Sequence, residues 1–74
     1  MVNYHTKISN INIATAMKDN KVLKKYVDVV PPNGTSDTYE IANLLSKRIK
    51  KFGFDKKEVK AIQDVMQTAF NNVG

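Results

Sequence analysis

"NINIATAMKDNKVLKKYVDVV", residues 10–30, decides the fold of this chain. Read with a period of two, NINIATAM places Ile11, Ile13, Thr15 and Met17 on one side. KDNK, residues 18–21, suits a four-residue hairpin loop. VLKKYVDVV, residues 22–30, alternates again, with Leu23, Lys25, Val27 and Val29 on one face and Lys24, Tyr26 and Asp28 on the other. β-branched residues dominate both runs, which favours extended chain. The pattern predicts a β-hairpin, or at least one strand over residues 22–30. Helical spacing competes over the first run, because Ile8, Ile11 and Thr15 also fit one helical face. The strand reading, preferred here, gives an α+β domain. The helical one gives an all-α, three-helix chain.

Downstream the spacing speaks for helices. Pro31 and Pro32 end what precedes them, and Asn33-Gly34 is a turn pair. Ser36 or Asp37 can cap a helix over residues 37–52, with Glu40 three residues after Asp37. Ile41, Leu44, Leu45, Ile49 and Phe52 form its apolar stripe, and Gly53 suits the position just past its end. Asp55, followed by Glu58, caps a second helix over residues 55–73. Val59, Ile62, Met66, Ala69, Phe70 and Val73 are its apolar positions. The joint Gly53-Phe54-Asp55 is short enough to fold the two helices against each other, with Phe52 and Phe54 plugging it. The whole is expected to be one domain over residues 1–74, with a strand or hairpin segment in residues 1–30.

Composition narrows the functional classes. At 74 residues, a chain buries only about 60% of the surface its unfolded form exposes, so self-association as a homo-oligomer would add apolar burial. Cysteine is absent, which excludes disulfide scaffolds, thiolate metal sites and cysteine nucleophiles and favours a reducing, cytoplasmic setting. MVNYHTK lacks an apolar core for a signal peptide, and no run of residues is long and apolar enough to span a bilayer, so no membrane partner is expected. His5 is the only histidine and has no nearby acidic partner. Asp37, Glu40, Glu58 and Asp64 have capping or solvating roles. No glycine-rich phosphate loop occurs, no set of nucleophile, base and orienting group can be assembled, and no cofactor is expected; the chain reads as a non-enzyme.

The charge is concentrated. Net +5 arises within KRIKKFGFDKKEVK, residues 47–60, where Lys47, Arg48, Lys50, Lys51, Lys56, Lys57 and Lys60 face only Asp55 and Glu58. Part of this is ordinary, since cations are favoured at the end of a helix and anions at its start. The rest follows from the predicted bend, which would gather these bases beside the free amides of the second helix and so suit phosphate. Lysine supplies affinity and salt dependence with little base readout.

A strand, a helix ending at glycine and a capped helix reading KKEVKAIQDVMQTAF together resemble the ribbon-helix-helix family of DNA-binding dimers over residues 24–73. The resemblance implies that strands from two protomers form a ribbon in the major groove. Lys24, Tyr26 and Asp28 would then face the DNA, and the backbone at residues 55–57 would clamp a phosphate. The chain departs from that pattern in the acidic Asp28, the longer loop over residues 31–36 and the additional N-terminal segment. Two further functional classes stay open. A tyrosine ring, at Tyr39 or Tyr26, could stack on a base or nucleotide near Lys47 or Lys50 of another protomer. The Pro31-Pro32 loop leading into a Tyr39-bearing helical hairpin is similar to phage sponge proteins that trap cyclic nucleotides, which implies a nucleotide ligand for a phage or mobile-element protein and assigns no ligand residues. A surface of Met17, Met66, Phe70 and Val73 would instead suit a homodimer or an inhibitory complex with a host protein.

Overall fold

The computed structural model describes residues 6–50 and 55–73, the last two without their side chains, and in it Asn10–Lys18 form a helix, α1. The first expected strand is therefore helical. Asn10, Ile13, Ala16 and Met17, at spacings of three and four, are its buried residues. Ile13 is 0% exposed whereas Ile11 is 65% exposed, so the two residues that alternation placed together lie on opposite faces. Ile11 and Thr15 do share a helical face, but it is the wet one, where the Thr15 hydroxyl donates to the Ile11 carbonyl at 2.9 Å. The physical reason is burial. β-propensity spans only about 1 kcal/mol, and fully burying an isoleucine or methionine contributes about 1.5–3 kcal/mol. As a helix, α1 encloses Ile13, Ala16 and Met17 against its neighbours at once.

The second expected strand is also corrected. After α1, the backbone amides of Asp19 and Asn20 donate to the Ala16 and Met17 carbonyls. The Asn20 side-chain oxygen then accepts from the amides of Val22 (2.9 Å) and Leu23 (3.0 Å). This Asx-type turn bends the chain without a hairpin, and Lys24–Val29 wind into a 3₁₀ helix. At about three residues per turn, side chains three apart eclipse one another. Leu23, Tyr26 and Val29 thus fall in one column, and Val27 and Val30 in a second, all buried or half-buried against the core. Lys25 and Asp28 form the exposed third. The apparent alternation of Val27 and Val29 was two inward columns of a helix.

The chain remains α+β, but its strands lie elsewhere. β1 (Ile8–Ser9) pairs antiparallel with β2 (Thr35–Ser36), Ile8 opposite Ser36 and Ser9 opposite Thr35. Buried Asn10 extends the pairing. Its amide donates to the Gly34 carbonyl at 3.0 Å, and its side-chain nitrogen to the Asn33 carbonyl at 2.7 Å. Gly34 has φ +87°, a conformation that glycine alone adopts at little cost. The 31–34 loop is thereby pinned to the start of α1. Lys7 pairs with Glu40 on the adjoining turn.

The downstream helices follow expectation more closely. α2 (Thr38–Ile49) is capped by Asp37, whose side chain accepts from the Glu40 amide at 2.9 Å. Ile41 and Leu45 are buried, and Leu44 and Ile49 half-buried. The helix ends at Lys50 rather than Phe52, with Lys50 left-handed at φ 59°. The joint anticipated at Phe52, Gly53 and Phe54 lies outside the described residues, as do Lys51 and His5. α3 (Lys56–Val73) starts at Asp55, which accepts from the Glu58 amide at 3.0 Å. It packs against α2 as a helical hairpin and most extensively against α1. Its buried face comprises Ala61, Ile62, Val65, Met66 and Ala69. Val59 (42% exposed) and Phe70 (39%) are left at the edge, so the face is rotated by roughly 60° from the expected stripe, given about 100° per residue. Met17 and Met66 fill the core instead of extending an outer surface. Among the described residues no helix is long and apolar enough to cross a membrane.

Candidate nucleic-acid interface

Packing of α3 along α1 sets the start of α3 beside the corner that follows α1. A groove of about 520 Å³ opens there, with Lys21, Val22, Lys25 and Tyr26 on one side and Asp55, Lys57 and Glu58 on the other. The Asn20 turn and the first turn of the 3₁₀ helix aim the former group. Leu23, fully buried between them, fixes the corner to the core. The Asp55 cap fixes the latter group.

The groove combines three ammonium groups with a half-buried aromatic ring. The Lys25 ammonium sits 5.4 Å from the centroid of the Tyr26 ring. Such a contact at an exposed site contributes about 0.5–1 kcal/mol. Val22 and the inward part of Tyr26 make an apolar floor continuous with the core. Asp55 and Glu58 partly offset the lysines within the groove. Lys24 and Lys56, both exposed, are the sequence neighbours of Lys25 and Lys57 but do not line the groove.

Of the residues that sequence reasoning favoured, Tyr26 and Lys57 are brought together here. Lys24 is exposed in a different column of the 3₁₀ helix. Lys56 and Lys60 border Val59 and Gln63 on the outer face of α3, and Lys60 pairs with Asp64 at 3.5 Å. Lys47 and Lys50 are exposed at the end of α2. Arg48 is engaged, holding Asp28 at 2.6 Å and so tying the last turn of α2 to the 3₁₀ helix. Exposed pairs of this kind contribute about 0–1 kcal/mol. Tyr39 stands on the outer face of α2 with Ala42, Asn43 and Ser46, apart from the groove.

Lys21, Val22 and Lys25 were missed. Their only signal was the mixture of basic and aromatic residues in KVLKKY, which an alternating reading dispersed over two strand faces. No group of three metal-ligating side chains occurs among the described residues. Comparison with protein-family models, curated proteins and solved structures finds no significant match for the chain.

Proposed function

We propose that this protein binds nucleic acid through the groove between the α1–3₁₀ corner and α3, contacting phosphates with Lys21, Lys25 and Lys57. The observation that carries this reading is their convergence around Tyr26 from two stretches of chain that are far apart in sequence. An ammonium is a point charge without the planar fork that reads a base edge, so lysine contacts give affinity with little sequence preference.

Salt dependence tests it. Each neutralised phosphate releases counterions, so three to five contacts give a slope of roughly −2 to −3.5 in log K against log salt. Fluorescence anisotropy with a labelled oligonucleotide, from about 50 to about 200 mM salt, is expected to give that slope. Replacing Lys21, Lys25 and Lys57 together by Ala should flatten it by roughly 2, at about 0.7 per lost single-strand contact. Undetectable binding at the lowest salt, or an affinity indifferent to salt, contradicts the proposal.

A further inference from the structure

We infer that the groove takes single-stranded nucleic acid, with one unstacked base lying on Tyr26 and the phosphates on either side of it running past Lys21, Lys25 and Lys57. This rests on the nucleic-acid reading above and names its ligand. Three observations support this, and the first separates a strand from a duplex. The ring is recessed and half-buried beside Val22, so it can be reached by a flat group entering the groove. Bases in a duplex keep their faces stacked and cannot offer one to such a ring without leaving the helix. The volume of about 520 Å³ falls within the range of roughly 300–1,000 Å³ typical of sites for small ligands, adequate for one nucleotide unit.

The occupant of the ring is the second observation. Lys25 lies over Tyr26 with its ammonium 5.4 Å from the centroid. Stacking of a base on an aromatic ring outweighs a cation held over it at an exposed site. An arriving base therefore displaces the ammonium, which turns to the adjacent phosphate. The third is polarity. Asp55 and Glu58 stand opposite the corner lysines. Carboxylates repel phosphate and accept from amino groups. The backbone of the strand accordingly follows Lys21 and Lys25 and meets the opposite wall only at Lys57, with the base edge turned towards Asp55.

The test compares a labelled single strand of about twelve nucleotides, long enough to fill a typical single-strand site, with its duplex and with a mononucleotide. Wild-type protein, Tyr26→Leu and Lys57→Ala are assayed by anisotropy at low salt. Single strand is expected to bind more tightly than duplex. Tyr26→Leu should weaken it by about 5- to 150-fold and weaken duplex binding by much less, while Lys57→Ala weakens both to a similar degree. Independently of any variant, the ring-proton resonances of Tyr26 in wild-type protein should move upfield with single strand and hold still with duplex. Equal binding of strand and duplex, with those resonances unmoved and Lys57→Ala still harmful, overturns the stacking inference and leaves the broader reading standing. Loss of all binding overturns both. A mononucleotide that binds as tightly as the strand assigns the groove to a free nucleotide and overturns the single-strand inference.

Discussion

Lys50 ends α2 with φ 59°, a conformation that costs an L-residue about 1–2 kcal/mol and glycine almost nothing. Its amide closes the helix by donating to the Ser46 carbonyl at 2.9 Å. Lys50→Gly is expected to stabilise the protein by about 1 kcal/mol and raise Tm by roughly 4–8 °C, as read in a thermal melt. A lowered Tm would mean that the lysine side chain supports the cap. Nothing in the sequence marks this position. Gly53 is the obvious terminator, and a lysine held left-handed is recognisable only once the backbone is known. Asn10 is similar. As a polar residue in an apolar run it resembles a surface position, yet it is buried because it holds the carbonyls of Asn33 and Gly34. The aspartate caps of α2 and α3 were legible because their geometry is local and their side chains have few alternative uses beside a helix start.

At the scale of elements, period was the source of both success and error. The α2 stripe was clear because Ile41 and Leu45 recur one turn apart with no rival alternation. Over residues 10–30, short apolar spacings matched two periods, and β-branched composition tipped the reading towards strands. The decision belonged to tertiary packing. The two alternatives make opposite claims about Ile11 and Ile13. In α1, Ile13→Ala should cost about 2–5 kcal/mol because it empties a fully enclosed site. Ile11→Ala should change stability by no more than about 0.5 kcal/mol. Urea denaturation measures both. Comparable losses would restore the strand, in which both side chains share a face. The rotated face of α3 has a related origin. Ala61 and Val65 lie inside with Ile62, Met66 and Ala69, while the bulkier Phe70 stays at the margin, so ranking positions by hydrophobicity alone pointed the helix slightly away from its partner.

For the whole molecule, charge counted along the chain concealed charge gathered in space. Residues 47–60 hold the net excess, and the corner lysines are numerically balanced by acids elsewhere. Folding redistributes these groups. Asp28 is taken up by Arg48, and Lys21 and Lys25 are carried to Lys57. The basic run contains Lys57 and the sequence reading also named Tyr26, but their association in one groove required the packing of α3 on α1. The most direct measurement is a two-dimensional ¹H–¹⁵N NMR titration of the labelled protein with an unlabelled single strand. Amide shifts are expected in two separate stretches at once, residues 21–26 and residues 55–58, saturating at the same oligonucleotide concentration. Shifts confined to the end of α2, or perturbation of one stretch without the other, would contradict a shared groove.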